Sequence, residues 1–435
     1  MKSLSHALAL FLWSLCIGTP DATAQNASAE NIQKLRGQLE SLRQEQLAQI
    51  ASIRERTDEQ IRTIELELAQ FDAPLPHTVP AATPAPEEKS SRSASAFPPL
   101  SGDIRIRYER NFDTGAAPDR NRVMLRARLG VRHAISDRIT IAARLATGDP
   151  DDPNSTDTTL SDFLDDLSVS LDQAYVRLEL GDFDLHAGKV PNTFTSTELV
   201  FDSDVNPQGF SGSWKLRSTD HSAIHLRGAY FLVQEQASGP DSALRALQAA
   251  LSLSGSSAWR HEFAFALYDY ELAGLSGSDS GDTRTNLLTP SGERYRSDFN
   301  LLDFVASSSF ETASHRRPFR AVGNYVRNRG AASAGDTGYS LDFTFGRASD
   351  PGDLRIGSGY AVAETDAVLA AFSQDNTTLG SNYRQYSLGV DYVLMRGAVL
   401  NATWYYYRLN EVADAVAGAT GTWMNRVRFN ILLRF

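Results

Sequence analysis

From Gly102 onward nearly every segment of the chain sets apolar residues two positions apart with polar residues between them. Side chains of an extended strand point to opposite faces in turn, so this pattern predicts strands with one oily and one wet face. RVMLRARLGV (122–131) sends Val123, Leu125, Ala127, Leu129 and Val131 one way and Arg126 and Arg128 the other. The closing RVRFNILLRF separates Val427, Phe429, Ile431, Leu433 and Phe435 from Arg426, Arg428, Asn430 and Arg434 in the same manner. About sixteen strands are expected, at roughly 102–111, 121–133, 138–147, 168–180, 183–190, 208–217, 222–234, 243–254, 259–271, 297–310, 317–328, 337–348, 353–364, 382–395, 398–409 and 423–435.

The links between strands alternate in length. HAISD, GD, STDH, GSSA, ETASHR, SDPG and Arg396-Gly397 are tight, while GDPDDPNSTDTTLSDFLDD, PNTFTSTELVFDSDVNPQ, the Gly/Ser/Asp run at 274–296 and TDAVLAAFSQDNTTLGS are long. Short turns on one rim and long loops on the other, over an even number of strands, predict an all-β membrane protein, a sixteen-stranded antiparallel transmembrane β-barrel. A soluble sandwich would also alternate, but has no reason to sort its loops by length. An open sheet edge is not tolerated in hydrocarbon, so the last strand should pair with the first, near 102–110. Trp214, Trp259, Trp404, Trp423 and Tyr405 to Tyr407 lie near strand ends, where interfacial aromatic girdles are expected.

Ahead of the alternating region the period changes. Lys2, the apolar run Ala7 to Gly18 and the small-x-small site Ala22-Thr23-Ala24 predict a signal peptide at 1–24. Ile32, Leu35, Leu39, Leu42, Ile50, Ile53, Ile61, Ile64, Leu68 and Phe71 recur at helical spacing with an irregular step near Gln46. That pattern predicts an N-terminal α-helical coiled coil within 25–72, placed in the periplasm; a lone amphipathic helix is the alternative. The Pro-, Ala- and Ser-rich 73–100 reads as a linker, and 101–435 as the barrel domain.

Composition adds mainly exclusions. The 435 residues are 42% hydrophobic with a formal charge of −11, and hold no later apolar run long enough for a spanning helix. Cys16, the one cysteine, falls in the expected signal peptide, and Leu15 is too large to precede a lipidated cysteine. HExxH, GxSxG and GxxxxGK[ST] are absent, and the histidines, among them His133, His186 and His225, have no ligand spacing. Ser211 or Ser213 near His221 is a chance neighbourhood. No enzyme, cofactor, metal or nucleic-acid partner is expected, and the acidic runs at Asp149 to Asp157 and Asp202 to Asn206 lack EF-hand spacing and read as solvated.

Charge does single out one wall. On strands whose outward face is clear, the inward set is basic: Arg105 and Arg107, Arg126, Arg128 and Arg132, Arg144, and Arg426, Arg428 and Arg434. Arginine at mid-bilayer on the lipid face of a barrel costs about 2–4 kcal/mol, so these side chains should line water. Closure of last strand on first makes them contiguous.

GDIRIRYE, RVMLRARLGV, RLATGDP, DQAYVRLE, LHAGKVPNTF, LVFDSDVNPQGFSGSW, GNYVRN and GYAVAETDAVLAAF in series resemble the bacterial putative-porin family of sixteen-stranded barrels, over about 101–435. The resemblance implies a water-filled outer-membrane channel for passive diffusion of small hydrophilic solutes in a Gram-negative bacterium. It implies a terminal aromatic, Phe435, read by the barrel-assembly machinery. General porins also fold their third long loop into the lumen, which would set Glu198, Asp202 and Asp204 against the basic wall; the alternative leaves that loop over the rim. Such porins are commonly homotrimers, and the mixed Ile and Leu positions of the coil point the same way. The competing function is a structural barrel that tethers the envelope through its coiled coil.

Overall fold

The computed structural model describes residues 99–435 apart from 116–117, 161–165, 238, 256–257, 276–282, 312–316 and 412–420. Before Pro99 it describes only Gly37 and Gln44, each helical. The signal peptide, the coiled coil and nearly all of the linker therefore lie outside the described residues.

Alternation becomes sixteen long strands: β1 (Leu100–Phe112), β2 (Arg120–Ala134), β3 (Ile139–Thr147), β4 (Val169–Leu180), β5 (Phe183–Lys189), β6 (Gln208–Ser218), β7 (Ser222–Gln234) and β8 (Ser242–Ser254) form the first half. The second half is β9 (Trp259–Glu271), β10 (Phe299–Phe310), β11 (Phe319–Asn328), β12 (Thr337–Gly346), β13 (Leu354–Ala363), β14 (Tyr383–Met395), β15 (Ala398–Leu409) and β16 (Met424–Arg434). Every strand pairs antiparallel with its neighbours, and β1 pairs with β16, so the sheet has no free edge. A further two-residue strand, Thr158–Thr159, which the alternation could not reveal, pairs with Met124 and Leu125 of β2.

The register puts the apolar sets outside. Ile104, Ile106 and Tyr108 of β1, Leu129 of β2 and Phe429, Ile431 and Leu433 of β16 are exposed on the outer surface. Of the expected girdle aromatics, Trp214, Trp259 and Trp404 are exposed and Trp423 stacks on Tyr406 with ring centroids 4.4 Å apart. Tyr405 and Tyr407 depart from that expectation. They fall on the inward parity of β15, where the Tyr405 hydroxyl bonds Asn376 and Tyr407 is fully buried, because a run of three consecutive tyrosines cannot share one face of a strand.

Closure is tight at the seam. Gly102 N–H donates to the Phe435 carbonyl and Phe435 N–H to the Gly102 carbonyl, both at 3.1 Å. A Cβ on Gly102 would meet the Arg128 carbonyl oxygen at 2.2 Å and the Phe435 ring at 2.8 Å, so only glycine admits this approach. At the opposite extreme of compactness, the Arg396-Gly397 turn reverses the chain in two residues through a left-handed Gly397, φ 79°.

Long connections all leave from one rim: L2 (148–168), L3 (190–207), L5 (272–298) and L7 (364–382). Instead of standing in solvent, L3 and L7 pack into the barrel. Leu199, Val200 and Phe201 of L3 and Ala367, Val368 and Leu369 of L7 join inward residues such as Leu244, Tyr268, Phe299, Leu301 and Tyr383 in one buried cluster. Among the described residues the main apolar cluster thus lies where L3 and L7 meet the inner wall of the barrel.

Candidate functional site

Across the seam, strand register interleaves acids with the arginines. Glu109 of β1 lies in register between Arg428 of β16 and Arg122 of β2, and Asp103 lies between Arg434 and Arg128. Glu109, wholly buried, accepts from Arg428 Nε at 2.7 Å and pairs with Arg122 at 2.6 Å and Arg426 at 3.6 Å. Asp103 takes Arg126 and Arg128, each at 2.8 Å. Arg105 and Arg107 have no such strand partner. L2 supplies one: Asp157 reaches Arg105 at 2.7 Å and Arg107 at 2.5 Å. Burial alone would raise the Asp157 carboxyl, but the Arg107 and Arg105 guanidiniums outweigh it and hold it below the usual aspartate range.

L3 spans the lumen between two walls. On the far side Gln248 of β8 closes a two-bond ring with the Thr195 peptide, accepting from its N–H at 2.9 Å and donating to its carbonyl at 2.8 Å. Arg227 of β7 donates to the Thr195 hydroxyl at 3.0 Å, and the Thr197 hydroxyl bonds Asn324 of β11. On the near side Asp204 meets Arg128 at 3.1 Å and Arg126 at 3.7 Å. The three L3 acids are therefore not equivalent. Asp204 touches the wall. Glu198 is exposed, and among the described residues it meets the wall through Asn376, which donates to its carboxylate. Asp202 turns into the L3–L7 contact, 4% exposed, where its N–H donates to the Phe372 carbonyl and its carboxyl accepts the Asp204 N–H. Burial, then the neighbouring Glu198 and Asp375, push the Asp202 carboxyl up to about 9.

L7 contributes what the sequence reading did not assign. Its tip lays two main-chain carbonyls on the wall: Arg426 Nη1 donates to Asp375 O and Asn376 O at 3.3 and 3.1 Å, and Arg428 Nη2 to Asp375 O at 3.1 Å. Arg428 Nη1 and the Tyr405 hydroxyl both donate to Asn376 Oδ1, at 3.2 and 3.1 Å, and the Asp375 carboxylate stands 3.8 Å from Arg428. The signal was present in AVLAAF (367–372), six apolar residues inside a loop otherwise fit for water.

The remaining arginines of the expected wall stand apart. Arg144 pairs with Asp172, which also accepts from Asn206 at the end of L3. Arg132 is exposed near the short-turn rim and donates to the Tyr175 hydroxyl at 3.4 Å, and Arg434 is exposed on that rim. Among the described residues no group of three or more His, Cys, Asp or Glu is arranged to hold a metal ion.

A closed sixteen-stranded barrel with an apolar belt, one rim of tight turns and loops folded against a charged inner wall is a bacterial outer-membrane porin architecture. A family model described as putative porin matches residues 111–301 and 296–435, most of the chain. The chain belongs to the putative porin family and is an outer-membrane channel for passive diffusion. No curated protein matches it. Among solved structures, Pseudomonas putida OprB at high pH is similar with a TM-score of 0.52 and 12% identity, covering 78% of this chain and 94% of that one. The trimer form of Vibrio cholerae OmpT gives 0.48 and 12%, covering 78% and 98%. An anion-selective porin of Comamonas acidovorans gives 0.45 and 10%, covering 78% and 99%. The likeness to OprB is one of fold.

Proposed function

We propose that the channel narrows where the β16–β1–β2 wall meets L2, L3 and L7, and that small hydrophilic solutes pass through the field there. The carrying observation is that L3 is anchored to the far wall through Gln248 while Asp204, Asp157 and the L7 tip all engage arginines of the near wall. Seven guanidiniums, of Arg105, Arg107, Arg122, Arg126, Arg128, Arg426 and Arg428, share five carboxylates within 4 Å, of Asp103, Glu109, Asp157, Asp204 and Asp375. With Glu198 as a sixth acid open to the lumen, a small positive excess remains, which supports a weak anion preference. No chemical step is assigned to these groups; they order water and solute. Single-channel recording in planar bilayers tests the reading: stable openings with a reversal potential slightly towards that of chloride are expected, and silent insertion of folded protein overturns it.

In the same proposal the protein is a homotrimer seated in the outer membrane by the barrel-assembly machinery, with Phe435 as the recognised end and residues 25–72 in the periplasm. Envelope tethering by that segment is the lesser reading, since family membership speaks for transport.

A further inference from the structure

We propose that the outer surface of β14 and β15 carries a binding site for a phosphorylated headgroup of the outer-leaflet lipid, with Arg384 and Arg408 as its two guanidinium ligands. These residues are direct cross-strand partners, in the same outward row system as the pairs Tyr386–Tyr406 and Leu388–Trp404 below them. They lie at the long-loop ends of their strands, one step above an aromatic band. Tyr360 and Tyr386 have ring centroids 4.8 Å apart, Tyr386 and Trp423 5.8 Å, and Tyr406 and Trp423 4.4 Å. Interfacial tyrosines and tryptophans sit at headgroup depth, so the two guanidiniums face lipid phosphates rather than acyl chains.

Two like charges set opposite each other on a sheet repel, and among the described residues no carboxylate pairs with either. Other outward arginines at the same rim have carboxylates: Arg110 has Asp119 at 3.6 Å, Arg245 has Glu271 at 2.7 Å and Arg327 has Asp336 at 3.0 Å. Among the described residues neither Arg384 nor Arg408 forms an ion pair. Arg384 Nη2 donates weakly to Asn410 Oδ1 at 3.4 Å, and the Arg408 guanidinium lies 5.0 Å from the centre of the Trp423 ring. Both Nε atoms are buried without a hydrogen-bond partner. With Nε buried, each guanidinium turns its Nη groups outward, and a guanidinium without a carboxylate partner is well matched to an oxyanion that accepts two parallel N–H groups at once. One phosphate between the pair would take both charges, and the stacked rings beneath would carry the adjoining sugar or acyl carbons.

Native mass spectrometry of the full chain in detergent, titrated with bisphosphorylated lipid A or with its dephosphorylated form, tests the site. The wild type should hold the phosphorylated lipid about tenfold more tightly or better, and R384Q/R408Q should lose that difference while R327Q keeps it. Equal binding of the two lipids by the wild type overturns the proposal, and that arm needs no variant to fold. Displacement of the lipid by millimolar inorganic phosphate overturns the lipid assignment in favour of a free anion. A change of subunit stoichiometry in R384Q/R408Q with unchanged lipid retention overturns it in favour of a contact between copies.

Discussion

Asp202 holds its proton to about pH 9, because burial between L3 and L7 opposes the charged form and Glu198 and Asp375 face it with their own carboxyls. An unfolded aspartate releases its proton near pH ~4. The native state therefore binds more protons than the unfolded one between those values, and the stabilisation Asp202 gives the loop contact is complete below about pH 4 and lost as pH rises through about 9. Raising pH from 7 to 10 should add a negative charge at the constriction and move the reversal potential towards cation preference; in Asp202→Asn that alkaline change should be smaller. Arg126 and Arg128 both lie between Asp103 and Asp204, but Arg128, with side-chain exposure of 19%, can be removed more safely than Arg126 at 7%, because water can solvate the acids it leaves. Arg128→Gln should fold and shift selectivity towards cations, read from reversal potentials under a salt gradient. Arg126→Glu would gather three carboxylates and should lower the folded yield seen by heat-modified gel mobility, a buried pair broken on one side costing roughly 3–5 kcal/mol. The arginines were legible in sequence through parity alone. Asp103 and Glu109 share that parity on β1 and could have been read beside Arg105 and Arg107, whereas Asp157 could not, since nothing local says which side chain a loop 50 residues away will present.

Strands were the most legible elements, to within a residue or two, because each exposes an apolar face to lipid and alternation is forced on every one of them. Loops carry no such rule. L3 was assigned to the lumen by resemblance, and L7 went unread although AVLAAF cannot rest in water without cover. The two loops now make separable predictions. Deleting 374–378 removes the L7 carbonyls from Arg426 and Arg428, and should raise single-channel conductance severalfold while the barrel still assembles. Leu129→Arg, on the exposed outward row of β2, should leave selectivity alone in whatever protein folds but impair assembly by roughly 2–4 kcal/mol, measured by urea titration in lipid.

A trimer is expected by mass measurement in detergent, and deletion of 25–95 should weaken it while single-channel conductance persists; loss of envelope integrity with intact conductance would instead favour the tether. The seam between β1 and β16 has a consequence in time. Arg107 and Asn430, hydrogen-bonded across it at 2.8 Å, are 323 residues apart in sequence, and so the ring cannot shut until nearly the entire barrel domain has been made, exported and lined up. Contacts of such separation form late and slowly. Until then both outer strands offer unpaired amides to any neighbouring chain, so the interval before closure, more than the finished barrel, is when this protein is exposed to aggregation and proteolysis.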